Sequence, residues 1–110
     1  MPREPKAGEF EQLVLLSILQ LKDNAYGMSI RRDIEDRTER RTALGAVYTT
    51  LERLEAKGYV SSRTGEPTPE RGGRAKRFFR LESGGEEALR VSHEAIRKMT
   101  QGLKWRWEIT

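Results

Sequence analysis

The run TALGAVYTTLERLEAKGYVSSR, residues 42–63, decides the fold. Leu44, Val47, Leu51 and Leu54 recur at three- and four-residue steps, which predicts a helix over 43–57 with one buried face. Thr42 is placed to cap its start, although Gly45 cannot complete a capping box. Gly58 stands where a left-handed residue ends a helix, and Tyr59 to Arg63 opens a strand on β-branched and aromatic residues. GEPTPERGG, residues 65–73, is too rich in Gly and Pro for regular structure. AKRFFRL, residues 75–81, supplies the return strand. One face of it carries Ala75, Arg77, Phe79 and Leu81, and the other Lys76, Phe78 and Arg80.

Upstream, Phe10, Leu13, Val14, Ile18 and Leu21 make a helical stripe that Leu15, Leu16 and Leu19 broaden, as in a helix covered on more than one side. A short turn at 22–25 leads to a second helix marked by Tyr26, Ile30 and Ile34 and ending near Arg37. Downstream, Ser83 with Glu86 reads as a capping box for a last helix, whose Leu89, Ser92, Ile96, Met99 and Leu103 form a coiled-coil-like seam. The order predicts a mainly α chain with a two-stranded β wing: a winged helix-turn-helix followed by a C-terminal dimerisation helix. Residues 1–8 read as a flexible arm, 9–82 as the DNA-binding domain, and 83–110 as the dimerisation helix with a Trp-containing tail.

The 110 residues suffice for one domain. There is no Cys and a single His, so disulfides, thiolate chemistry and a zinc site are not expected. His93 has only sequence neighbours, Ser92 and Glu94, which do not face it on a helix, and no phosphate-cradling Gly loop follows a strand. Neither an enzyme nor a cofactor is expected. No apolar run is long enough to span a membrane and the N-terminus leads into no signal-peptide core, so a cytoplasmic protein is expected.

The net charge of +4 is local. Residues 71–80 hold five basic side chains and no acidic one, leaving sixteen basic against seventeen acidic elsewhere. Such a patch suits phosphates, and equally suits an edge strand blunted by charge. The helix over 43–57 is the candidate reader: Ala46, Thr49, Thr50, Arg53 and Lys57 are expected outward, with Tyr48 at the boundary. Thr and Arg can contact bases or phosphate, and Tyr phosphate. Two adjacent Thr are poor helix formers, and this favours function over a merely solvated face. Arg71 and Arg74 of the long Gly/Pro hairpin would reach along the DNA backbone or into the minor groove, unless the hairpin is only a surface loop. Arg40 and Arg41 are the phosphate candidates of a cluster otherwise interleaved with carboxylates.

The seam of the last helix either packs on its own domain or, the preferred reading, pairs two copies, since two-fold proteins read two-fold operators. Trp105 and Trp107 serve as a packing anchor or as the aromatic wall of a ligand pocket. The competing function is a winged-helix module that docks on another protein and does not bind DNA specifically.

Several blocks resemble the PadR family of bacterial transcriptional regulators: the run from Leu13 to Leu19, the Tyr26-Gly27 pair, the block from Gly45 through Tyr48, Leu51 and Leu54 to Gly58, and the segment from Gly73 to Leu81. The resemblance covers about residues 10–103. It implies a homodimeric repressor of an inverted-repeat operator in double-stranded DNA, of the compact subgroup with one C-terminal helix, open to small aromatic effectors. It assigns DNA contact to Tyr48 and to the basic wing at Arg71, Arg74 and Lys76. Two departures stand out: the tryptophans follow the seam helix rather than lying within it, and Glu82 replaces the family's usual Thr after the wing strand.

Overall fold

A computed structural model describes residues 7–65 and 75–104. Helix α1 spans Glu9–Leu21, α2 Gly27–Thr38, α3 Leu44–Ala56 and α4 Ser83–Thr100; strands β1 (Val60–Thr64) and β2 (Arg77–Leu81) precede α4. A single 3-10 turn, Lys22–Asn24, links α1 to α2. The strands pair antiparallel, with Val60 opposite Leu81, Ser62 opposite Phe79 and Thr64 opposite Arg77. The mainly helical chain with a two-stranded wing is thus the architecture expected from the sequence.

Each of the first three helices turns one stripe into a shared core. Val14, Leu15 and Ile18 of α1 meet Ile30 and Ile34 of α2 and Val47, Leu51 and Leu54 of α3, while Val60 and Phe79 close the core from the wing. Burial of these side chains, at about 1.5–3 kcal/mol each, drives the assembly. Helix α4 adds only Ala88 to the buried set, with Leu89 half-buried against it. The broad stripe of α1 is divided: Phe10, Leu13 and Leu21 pack at the core's edge, whereas Leu16 and Leu19 stay exposed.

Helix ends show where local signals held and where they yielded. Gly58 adopts φ +77°, the left-handed conformation expected after α3. Thr42 does not cap α3. Its N–H donates to the Glu35 carboxylate (2.9 Å) and its hydroxyl to the Arg40 carbonyl (3.2 Å), so the cap position falls to Ala43. Ser83 does not cap α4 either. The Glu82 N–H is tied to the Tyr59 carbonyl (2.9 Å) and the Glu82 carbonyl accepts from Gly85 and Glu86, which starts the helix one residue earlier than the capping box implied. In α2, Ser29 Oγ accepts from the Tyr26 N–H (2.9 Å) and donates to the Asn24 carbonyl (2.6 Å), fixing the entry of that helix.

Candidate nucleic-acid interface

Burying Val47, Leu51 and Leu54 dictates what α3 presents outward. Gly45, Thr49, Glu52 and Ala56 recur at steps of four, three and four, all are exposed, and together they form the outer ridge of the helix. Tyr48, 44% exposed, flanks the ridge on one side, and Ala46 and Arg53, both exposed, on the other. Nothing lies within 4 Å of where a Cβ on Gly45 would stand. The first turn itself contains no acidic residue, so no carboxylate of the helix stands against a phosphate approaching its positive end.

Tyr48 is positioned by a contact that joins the two distant glycine-tyrosine signatures of the sequence. A Cβ on Gly27, at the start of α2, would lie 2.4 Å from Cζ of the Tyr48 ring and 2.6 Å from its hydroxyl oxygen. The ring therefore rests on bare backbone, and only glycine permits it.

Two expectations for α3 are corrected. Thr50, expected outward, is 4% exposed, because it lies in the row of Val47 and Leu54 and the buried arc is wider than the apolar residues that define it. Lys57 is drawn back to α1, where its Nζ donates to both oxygens of the buried Glu11 carboxylate at 3.1 and 2.9 Å. Burial alone would raise the Glu11 pKa. Hydrogen bonds from Lys57 and the Gly8 N–H outweigh it and hold the carboxyl below its ordinary value.

Between α2 and α3, Arg40 pairs with Glu9 and its guanidinium lies 5.5 Å from the Phe10 ring centroid, so it is engaged with α1 rather than standing free. Arg41 is exposed beside Glu35. That carboxylate is held below its ordinary pKa first by the Thr42 N–H and then by Arg31 and Arg41, which fixes a charged strut under the turn into α3.

The basic wing is partly neutralised at its base. Arg77 pairs with Glu55 of α3 and donates to Ser62 Oγ (3.0 Å), and Arg80 lies 3.3 Å from the Glu82 carboxylate. Glu82, the departure from the family pattern, accepts from Ser61 Oγ at 2.7 Å; this bond first, and Arg80 second, keeps its pKa low. The Lys76 ammonium sits 4.5 Å from the Tyr26 ring centroid, and Tyr26 meets Phe78 edge-on at 5.7 Å while also bridging it through the backbone. The wing is thereby fastened to the entry of α2, a contact that sequence periodicity does not signal. Arg71 and Arg74 lie outside the described residues, as do Trp105 and Trp107.

On α4, Leu89 and Ser92 are half-buried, whereas Ile96 and Met99 are 60% and 78% exposed; the helix ends at Thr100, so Leu103, expected to continue the seam, lies beyond it after the left-handed Gly102 and is 56% exposed. Among the described residues no cluster of His, Asp or Glu is arranged to hold a metal ion, and no helix is long and apolar enough to cross a membrane.

The PadR-like family of transcriptional regulators matches residues 15–91. The chain is similar to a PadR family transcription regulator from Clostridium difficile, at 27% identity and a TM-score of 0.66 over 84% of this chain and 92% of that one. It is similar to a Streptococcus transcriptional regulator at 25% identity and a TM-score of 0.67, over 84% of this chain and 85% of that one. A transcriptional regulator from Clostridium thermocellum shares the fold, with 22% identity, a TM-score of 0.69 and coverage of 83% and 85%. No curated protein matches. With the winged fold and a family match over most of its length, the chain belongs to the PadR-like family of transcriptional regulators.

Proposed function

We propose that this regulator is a homodimeric repressor that binds an inverted-repeat operator in double-stranded DNA. The observation that carries the reading is the outer ridge of α3: exposed, small at Gly45 and Ala56, free of acidic residues in its first turn, and flanked by Tyr48 and Arg53. A helix so shaped fits the major groove, with Thr49 toward base edges, Arg53 toward base or phosphate, and the Tyr48 hydroxyl toward phosphate. Arg41 would meet the backbone beside α3. Arg71, Arg74 and Lys76 would do so from the wing. Arg40 would contribute only by exchanging Glu9 for a phosphate.

The second protomer would cover Ile96 and Met99 on α4 and Leu103 just past its end, continuing the seam from Leu89 and Ser92, with the exposed Leu16 and Leu19 of α1 as a second apolar contribution. A single reading helix spans few base pairs, so a two-fold pair suits a palindromic site. Support for an aromatic effector comes from the sequence alone, in Trp105 and Trp107 near the end of the seam.

The test is to titrate the protein with its own upstream DNA and with random DNA of equal length, over a series of salt concentrations. The expected result is selective binding at two protomers per site that weakens steeply with salt. Arg74→Ala should lower the salt slope by about one unit. Binding that is weak and equal on both DNAs would refute the reading and direct the α3 ridge toward a protein partner.

A further inference from the structure

On the ridge of α3, Gly45 and Ala56 carry almost no side chain, which leaves Thr49 and Glu52 as the groups that reach outward along its centre. Glu52 has no hydrogen bond and no ion pair among the described residues. The other carboxylate of the helix, Glu55, is held by Arg77 and by Ser62 Oγ at 2.7 Å. The positions one turn away from Glu52, Tyr48, Thr49, Glu55 and Ala56, offer no cation to neutralise it.

A free carboxylate at the centre of a surface that meets a polyanion is a liability unless it has a donor to accept from. Phosphates offer none, and a carboxylate is an acceptor only. In the major groove the base-edge donors are the exocyclic amines, N4 of cytosine and N6 of adenine. We propose that Glu52 is a specificity-determining residue, accepting a hydrogen bond from the exocyclic amino group of one base in each half-site. The inference rests on α3 being the reading helix. The small residues at 45 and 56 let the ridge sit deep enough for the carboxylate to reach the groove floor, while Tyr48 and Arg53 on the flanks face the phosphate walls.

The experiment compares the full-length protein with Glu52→Ala and Glu52→Gln. Each is used to select from duplexes with a randomised half-site, followed by competition titrations on single-base-pair variants. The expected result is one base pair per half-site at which the wild type demands an amino-bearing base, and at which Glu52→Ala loses roughly 5- to 150-fold of discrimination while preferences elsewhere stay unchanged. A demanded cytosine or a demanded adenine identifies the source of the amine. If it is cytosine, Glu52→Gln moves the preference to adenine, whose N6–N7 edge suits a carboxamide. If Glu52→Ala tightens binding equally on every duplex and keeps every base preference, Glu52 merely repels phosphate and the inference is overturned. A wild type with no base preference anywhere overturns the reading of α3 itself. The site is exposed, so both variants are expected to keep the wild-type melting temperature, which confirms that any change is one of recognition.

Discussion

Helices α3 and α4 are both amphipathic, yet their apolar faces meet opposite fates. In α3, Val47, Leu51 and Leu54 are completely buried inside the chain and the polar face is left free. In α4, Gly85 and Ala88 alone are buried, and the apolar series continues past them into solvent through Ile96 and Met99. Their ion pairs differ in the same sense. Lys57, just beyond α3, crosses to Glu11 of α1, whereas Glu87–Arg90 and Glu94–Arg97 stay within α4. One periodic pattern thus serves folding in the first case and leaves apolar side chains exposed in the second. Periodicity says that a face is to be covered; only the position of the helix says by what.

Leu51→Ala should have the largest effect, removing about 2–5 kcal/mol of stability by opening a cavity, as read from urea unfolding at any protein concentration. Ile96→Asp should act differently, raising the dissociation constant of the proposed dimer by roughly tenfold or more in sedimentation while leaving the unfolding of dilute protein nearly unchanged. Equal losses of stability from the two substitutions would erase the distinction between the helices.

Gly27→Ala sharpens the α3 side of the comparison. The added methyl would displace the Tyr48 ring, so the melting temperature should hold while operator affinity falls by about tenfold or more, the worth of one hydrogen bond to a charged phosphate. An unchanged affinity would remove Tyr48 from the interface. The smallest effect concerns acid. The folded-state pKa of Glu11 is depressed, so its contribution to stability is present above the ordinary carboxylate range and is lost as pH falls through the lower folded value. Glu11→Gln should flatten the acid limb of the stability curve, and an unaltered limb would show that the contact between Lys57 and α1 is not a staple. The local α4 pairs, being exposed, should matter little to it.

Much of this was legible in the sequence because it is local. The stripes of α1 to α3 and the left-handed Gly58 all depend on near neighbours. What escaped reading was decided at a distance. Thr50 is polar, and periodicity alone cannot say that its row is covered. Lys57 and Arg40 look like solvent-facing cations until α1 brings Glu11 and Glu9 beside them. The caps at Thr42 and Ser83 failed because Glu35 and Tyr59, from other elements, claimed the backbone groups at those helix starts. On the candidate surface, Ala46, Thr49 and Arg53 are exposed, as the periodicity of α3 implies, and Tyr48 stands at the edge of that face. Glu52 carries no basic or aromatic signal, and only its four- and three-residue spacing from Gly45 and Thr49 places it on the same ridge.

The seat of Tyr48 on Gly27 also bears on how such a protein can be switched. The Tyr48 ring, set against bare backbone, ties α3 to the start of α2, and the wing is moored beside it through Tyr26 and Phe78. In the reading proposed above, α2, α3 and the wing of each protomer would thus meet DNA as one unit. In the outer half of α4, Ile96 and Met99 are exposed and pack on no core side chain among the described residues. In the dimer we propose, an effector would work as an adjusting screw on a pair of calipers, changing the gauge between two rigid jaws while the shape of each stays fixed.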